Sequence, residues 1–142
     1  MQVKYVFRRK KFRYKEFSAI ITPESYSSSE RLFRITAWCL RFVNNCRKSK
    51  VKQCGELNAE EYEFATELWI KQMQSELKSE LYYEKKCRSL GIYEDENEIL
   101  RCRGRIGKAK IQFDTRFPII IPTHHYITKL IIIEAHENIS DI

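Results

Sequence analysis

The stretch LNAEEYEFATELWIKQMQSELKSELYYEKKCRSLG, residues 57–91, decides how the rest of the chain is arranged. It opens with a helix start signal, because the Asn58 side chain can accept from the Glu61 amide while the Glu61 carboxylate bonds back to Asn58. An apolar stripe then recurs at three- and four-residue steps: Tyr62, Ala65, Trp69, Met73, Leu77 and Leu81. Since no proline or glycine follows before Gly91, the pattern predicts one helix of roughly thirty residues, or two helices with a break near 78–82.

A second helix is predicted upstream of this stretch. In the segment Ser27-Ser28-Ser29-Glu30, Ser27 stands at the N-cap and Glu30 three residues later, which is the spacing of a capping box. The apolar residues that follow at helical spacing are predicted to form its buried stripe: Leu32, Ile35, Cys39, Phe42, Val43 and Cys46. Because Gly55 allows the chain to turn, the two helices are expected to form an antiparallel hairpin.

After residue 91 the sequence changes to short apolar runs separated by turn residues. The segments 92–93 and 99–106, on either side of the turn-like Glu94–Asn97, predict a small β-hairpin. The segment 119–121 lies between two prolines and suits an edge strand, and Thr123 can cap a last helix. The predicted fold class is therefore α+β, with an antiparallel helical hairpin, a small β-hairpin region and a C-terminal helix. Its predicted divisions are a basic arm (1–26), the helical hairpin (27–91), the small β region (92–122) and the last helix (123–142).

Charge is distributed unevenly along the chain. Residues 1–54 carry 14 Lys or Arg and 3 Asp or Glu, whereas residues 55–100 carry 5 and 12. The arm combines the basic run Arg8–Lys11 with aromatic rings, as single-strand binders do; it fits a short strand or a disordered segment equally well. The asymmetry indicates a nucleic acid or an acidic partner, although a solvated basic tail explains it equally well.

Several functional classes lack support in the sequence. The apolar runs are too short to span a bilayer, and no apolar segment of a secretory signal follows the basic start. The five cysteines form no C-x-x-C pair and are expected to be reduced thiols. Nucleophile elbows, glycine-rich phosphate loops and zinc-protease helices are absent. We therefore expect an intracellular protein, cytoplasmic or nuclear, that is not an enzyme and has no membrane partner.

Three stretches carry further motifs. The first is SERLFRITAWCLRF (29–42), with an Arg-x-Thr-Ala-Trp core, and the second is GELNAEEYEFATELWIKQMQ (55–74), which ends in Trp-Ile-Lys-x-x-Gln. The third is DENEILRCRGRIGKAKIQFDTRFPIIIPTHHYITKLIIIEAHE (95–137), with Leu-Arg-x-x-Gly-Arg and Pro-x-x-x-Pro motifs. In this order and spacing they resemble the region of BEL/Pao-type retrotransposon polyproteins that leads into the integrase zinc-binding domain.

The resemblance implies a non-catalytic connector, associated with DNA integration, whose partners are the neighbouring reverse transcriptase and integrase domains of the parent polyprotein. It also implies that His136 is the first zinc ligand of a truncated integrase zinc-binding domain. Such a site needs a second histidine after three to five intervening residues, and then a pair of cysteines. Ser140, Asp141 and Ile142 occupy these positions. His136 is therefore expected to be a relic ligand or simply a polar residue near a helix end, and no zinc or other cofactor is expected.

A basic cluster in the predicted hairpin is the candidate nucleic-acid site: Arg101, Arg103, Arg105, Lys108 and Lys110. The three arginines alternate along the predicted strand, so they are expected to share one face and to contact phosphates of DNA or RNA. A solvated hairpin face is the alternative. Core positions are predicted for Trp38, Trp69 and Met73. The resulting alternative function is a stand-alone basic nucleic-acid-binding module.

Overall fold

The computed structural model describes residues 19–47, 51–104, 108 and 110–140. Its elements are, in chain order, helices α1 (Ser29–Cys46), α2 (Ala59–Lys78) and α3 (Tyr83–Leu90), strands β1 (Ile92–Glu94) and β2 (Leu100–Cys102), and helices α4 (Phe113–Arg116) and α5 (Tyr126–Ser140). A 3-10 turn at Pro23–Ser25 precedes α1. The strands pair antiparallel, with Ile92 opposite Cys102 and Glu94 opposite Leu100. The predicted α+β class is confirmed.

Helix α2 begins where its capping signal predicts. The Asn58 Oδ1 atom accepts from the Glu61 amide at 2.8 Å, and Glu61 Oε2 accepts from the Asn58 amide at 3.0 Å. The helix ends at Lys78, and α3 begins only at Tyr83, so the chain adopts the broken form of the predicted long helix. Gly91 ends α3 in the left-handed conformation (φ 63°), which a residue without Cβ adopts readily.

Helix α1 begins one residue later than predicted. Its N-cap is Ser28, whose side chain accepts from the Arg31 amide at 3.3 Å, whereas Glu30 pairs with Arg34 on the helix surface. The predicted capping box between Ser27 and Glu30 is therefore wrong. The carboxylate that completes this helix start comes from a distant part of the chain, which a local motif does not reveal.

The buried face of α1 also differs from the predicted stripe. The buried residues of this helix are Ser29, Leu32, Phe33, Thr36, Ala37, Leu40 and Arg41. Phe42, predicted inside, has 69% of its surface exposed, and Trp38, predicted as core, has 45% exposed. Arg41, which is not part of the predicted apolar stripe, is buried because its guanidinium binds Glu61 and the carbonyls of the loop between α1 and α2. The buried face of α1, which includes this ion pair, is therefore rotated about the helix axis relative to the predicted apolar stripe.

The core lies between α1, α2 and α5. It contains Leu32, Ala37, Trp69, Met73 and Ile127, each at most 2% exposed, so the predictions for Trp69 and Met73 are confirmed. The Trp69 indole donates to Thr36 Oγ1 at 2.8 Å, which satisfies its buried N–H. The contact joins the middles of α1 and α2. The pair Arg41–Glu61 joins the end of α1 to the start of α2, so the two helices run antiparallel as predicted.

The small β region rests on α2 through Gln74. Its side-chain amide donates to the carbonyls of Leu100 (3.0 Å) and Ile120 (2.7 Å), and its oxygen accepts from the Leu100 amide at 2.8 Å. The predicted edge strand at 119–121 is reduced to a single bridge between Ile119 and Arg101. The buried side chain of Gln74 thus binds both β2, at Leu100, and the segment 119–121, at Ile120.

Helix α5 begins at Tyr126 and not at Thr123. The His125 side chain accepts from the Ile127 amide at 3.2 Å, while the Thr128 hydroxyl donates to the Pro122 carbonyl at 2.7 Å. The side chain that bonds to a backbone amide at the start of α5 is therefore that of His125 and not that of Thr123.

The folded unit starts before the predicted boundary at residue 27. Ile21 and Pro23 are buried, and Ile21 belongs to the core cluster. The hydroxyl of Tyr126 donates to the Tyr26 carbonyl at 3.0 Å, which ties this segment to α5. The rest of the predicted basic arm, residues 1–18, lies outside the described residues.

The Glu134 carboxylate on α5 completes the start of α1. It accepts from the Ser29 amide at 2.7 Å and from the hydroxyls of Ser28 and Ser29. Burial alone would raise the pKa of Glu134, but these hydrogen bonds lower it below its ordinary value of 4.5. A negative charge also suits the positive end of the helix dipole. Helices α1 and α5 are therefore joined by an ionised carboxylate.

Replacing Glu134 by glutamine is expected to lower the free energy of unfolding by about 1–2 kcal/mol at neutral pH, because charge-assisted bonds become neutral ones. Since the folded-state pKa is lowered, the contribution is present above pH 4.5 and is lost as pH falls through the folded-state pKa. Urea denaturation at about pH 7 and about pH 3 measures this difference. The control is Glu137→Gln, on the exposed surface of the same helix. An equal loss at both pH values would contradict the assignment.

Candidate nucleic-acid interface

Arg101 lies in a buried ion-pair network and not on the open face predicted for it. Its side chain donates to Asp95 Oδ2 at 2.7 Å, to Asp114 Oδ1 at 2.9 Å and to the Phe117 carbonyl at 2.9 Å. Only 8% of its surface is exposed. Burial alone would raise the pKa of Asp95, but the bonds from Arg101 and two backbone amides lower it. Arg101 therefore holds the hairpin turn to α4, and its Nε and Nη1 atoms donate to acceptors within the chain.

The other predicted basic residues have different surroundings. Arg103, Lys108 and Lys110 are exposed, whereas Arg105 lies outside the described residues. The Arg103 guanidinium carbon lies 4.6 Å from the centroid of the Tyr93 ring, on the neighbouring strand. This is within the range of a cation–π contact. Arg103 is therefore exposed to solvent, whereas Arg101 is buried.

Aromatic rings and arginines lie together near Arg103 in a group that the sequence reasoning missed. We call Tyr93, Arg103, Phe113, Arg116 and Phe117 the aromatic–arginine cluster. The Phe117 centroid lies 6.1 Å from that of Tyr93 and 5.1 Å from that of Phe113, and the Arg116 guanidinium carbon lies 4.8 Å from the Phe117 ring. Phe113 begins α4 and Phe117 directly follows its last residue, so the two rings are four positions apart, a helical spacing that would have been the available signal.

The cluster offers the two chemical groups that nucleic acids require of a protein. Arg103 supplies positive charge for phosphates, while Phe113, 51% exposed, supplies a face on which a base can stack. Asp114 is also exposed here, but it pairs with Arg101. The arrangement therefore suits an oligonucleotide better than a small anion, because cations and a stacking ring lie side by side.

The histidines of the described residues do not form a metal site. His136 is exposed on α5 beside a shallow groove that it lines with Ile133, Glu137 and Ser140. His125 is engaged at the start of α5, with its Nε2 atom 3.6 Å from Glu76 Oε1. Within the part of the chain that the structure describes, no three His, Cys, Asp or Glu side chains are grouped to hold a metal. The residues around His136 therefore do not fit the zinc that the resemblance implies.

Comparisons with known proteins return no relative: no family model, no curated protein and no solved structure matches the chain. Over the described ranges, no helix combines the length and the apolar character that a bilayer span requires. The interpretation of the chain therefore depends on its own residues and contacts.

Proposed function

We propose that the chain is a non-catalytic fragment of a Pao/BEL-like retrotransposon polyprotein, a connector that leads into the integrase zinc-binding domain. In the full-length element it is associated with DNA integration, and its partners are the neighbouring reverse transcriptase and integrase domains. The proposal places it inside the cell, in the cytoplasm or the nucleus. It assigns packing roles to the motif residues and leaves the chemistry to the neighbouring domains.

The observation that supports this proposal is that the three motif-bearing stretches contact one another through their motif residues. Thr36 of the first stretch accepts from the indole of Trp69 in the second at 2.8 Å. Gln74, the last motif residue of the second stretch, bonds to Leu100 in the third. Residues far apart in sequence thus meet as partners in one core. This is what a connector with its own fold requires.

The acidic residues with lowered pKa values also fit a structural role. Glu61 binds Arg41, Asp95 binds Arg101, and Glu134 binds the start of α1. In each case, hydrogen bonds from partners within the chain hold the pKa below its ordinary value in spite of burial. These carboxylates therefore stabilise contacts between elements.

The genomic DNA that follows the Ile142 codon tests the connector proposal. We expect it to continue, in frame or out of frame, into a second histidine, a C-x-x-C pair and an integrase core with three catalytic acids. Transcripts that join this chain to a reverse transcriptase segment upstream would be a second expected result. Unrelated sequence on both sides would contradict the proposal.

A second candidate function is a basic nucleic-acid-binding module, and the aromatic–arginine cluster is the observation that favours it. We expect DNA or RNA to bind at about 50 mM salt and to weaken steeply at about 200 mM, because bound phosphates release counterions. Replacing Lys108 and Lys110 by glutamine should lower both the affinity and the salt dependence. Fluorescence anisotropy measures these quantities, with Lys85→Gln, an exposed lysine on α3, as the control. Absence of binding at the lower salt would exclude this function.

A further inference from the structure

We propose that the aromatic–arginine cluster binds single-stranded nucleic acid in preference to duplex, with an unpaired base stacked on Phe113 and the backbone held by Arg103. This inference rests on the second candidate function and names its ligand. It concerns a surface formed by β1, β2 and α4, which lie together only in the folded chain.

Phe113 presents an open ring face that the fold supports from behind. About half of the residue is exposed, while its ring lies 5.1 Å from the Phe117 centroid and 5.1 Å from the Arg101 guanidinium carbon. Ile111, 42% exposed, lies two residues away. An apolar ring held in this way loses little conformational freedom when a base covers it. Base stacking on such a ring does not depend on sequence.

Arg103 supplies the matching cation on the other side of the cluster. It is exposed, its guanidinium lies over Tyr93, and among the described residues it has no carboxylate partner. By contrast, Arg101 is held by Asp95 and Asp114. A guanidinium oriented by a ring keeps its donors available for phosphate. Arg103 is therefore available to contact the phosphate backbone of a strand that covers the cluster.

The neighbouring charges favour one strand over two. The exposed carboxylate of Asp114 follows Phe113 directly on α4, so negative charge lies beside the stacking ring. A duplex carries twice the phosphate charge per unit length of a single strand and brings its second backbone towards this carboxylate. Its bases are also stacked on each other, and their faces are not accessible to Phe113. A single strand avoids both penalties.

Anisotropy titrations with a labelled oligothymidine of roughly 20 nucleotides, and with a duplex of the same length, test the preference. Phe113→Leu is expected to weaken single-strand binding at least about fivefold and to leave duplex binding within about twofold. Arg103→Gln is expected to weaken single-strand binding and to reduce its salt slope by about 0.7. The matched controls are Phe42→Leu and Arg31→Gln, exposed residues of α1 that should change neither ligand's affinity by more than about twofold.

A cross-linking experiment on the unaltered chain keeps the test independent of any variant's folding. An oligonucleotide that contains bromodeoxyuridine is irradiated in the complex, and the linked peptide is identified by mass spectrometry. Cross-links at Tyr93 or Phe113 are the expected result. Cross-links confined to residues 7–14, or equal single-strand and duplex affinities that Phe113→Leu does not change, would overturn the inference while nucleic-acid binding stands. If neither ligand binds, both the inference and the second candidate function fail.

Discussion

Replacement of Glu61 by alanine is expected to lower the free energy of unfolding by about 3–5 kcal/mol, because it leaves the Arg41 guanidinium buried without its counter-charge. The Arg41 Nε atom donates to Glu61 Oε1 at 2.7 Å, and the side chains of Arg41 and Glu61 are only 6% and 2% exposed. The same carboxylate accepts from the Asn58 amide and completes the cap of α2. The variant therefore loses an ion pair and a helix cap together.

The direction of the pH dependence follows from the same contacts. Burial alone would raise the pKa of Glu61, but the bonds from Arg41 and the Asn58 amide lower it below its ordinary value of 4.5. A lowered folded-state pKa means that the contribution is present above pH 4.5 and is lost as pH falls through the folded-state value. The difference between the unaltered chain and Glu61→Ala should therefore shrink in acid.

Urea denaturation followed by far-UV circular dichroism measures the loss. Glu63→Ala is the matched control, since Glu63 is an exposed residue of the same helix and should change stability by less than about 0.5 kcal/mol. The double variant Arg41→Met with Glu61→Leu should recover part of the loss, because it removes both charges. Incomplete recovery is expected, since Arg41 also binds the Gly55 and Glu56 carbonyls. A loss no larger than that of Glu63→Ala would contradict a stabilising role for the pair.

The sequence predicts those features whose causes are local. Asn58 and Glu61 bond to backbone groups three residues away, so the start of α2 could be located from their spacing. The two strands and their turn likewise follow from short-range pattern, because Asp95 accepts from the amides of Asn97 and Ile99. The fold class was therefore predictable from residue order alone.

The buried face of α1 could not be predicted in the same way. Arg41 is inside because Gly55 and Glu61, 14 and 20 residues further along, provide its acceptors. Apolar periodicity selects only apolar residues for the buried face, and it therefore placed Phe42 inside. The resulting rotation leaves Trp38 partly exposed, with its ring 4.8 Å from the Arg41 guanidinium carbon. A pattern of apolar residues cannot predict that a charged residue is buried in the core.

The candidate site was predictable only in part, for a related reason. The spacing of basic residues directed attention to the hairpin, but it treated Arg101 and Arg103 as equivalent. Asp95 and Asp114, which bind Arg101, approach from the turn and from α4. Phe113 lies twenty residues from Tyr93 in sequence. That Phe113 belongs to the cluster could therefore be recognised only from the folded structure.

Replacement of Gln74 by methionine is expected to lower the free energy of unfolding by about 3 kcal/mol, although the side chain keeps its length and gains apolar character. Gln74 is 1% exposed. Without it, the Leu100 amide and the Ile120 carbonyl lose buried partners, and each unpaired group costs about 1–3 kcal/mol. The Leu100 carbonyl keeps its bond from the Ile120 amide at 3.1 Å, so only two groups are left unpaired.

Hydrogen exchange and urea denaturation together measure this effect. Exchange of the Leu100 amide should become faster than that of amides in the middle of α2, because the hairpin loses its attachment to that helix while the helix keeps its core contacts. Gln72→Met is the matched control, since Gln72 is a half-buried glutamine on the same helix. Unchanged protection of Leu100, or a loss equal to that of the control, would contradict the assigned role of Gln74.

The Gln74→Met variant also tests whether binding depends on the buried contacts that hold the aromatic–arginine cluster in place. Gln74 bonds to Leu100 on β2 and to Ile120 in the segment that follows α4. The first of these segments carries Arg101 and the second begins at Phe117. We therefore expect Gln74→Met to weaken single-strand binding although the residue is buried and cannot touch a ligand. A cluster that is detached from α2 no longer has fixed distances between its rings and its cations. If the Leu100 amide exchanges freely and single-strand binding is nevertheless unchanged, the nucleic acid must contact another part of the chain.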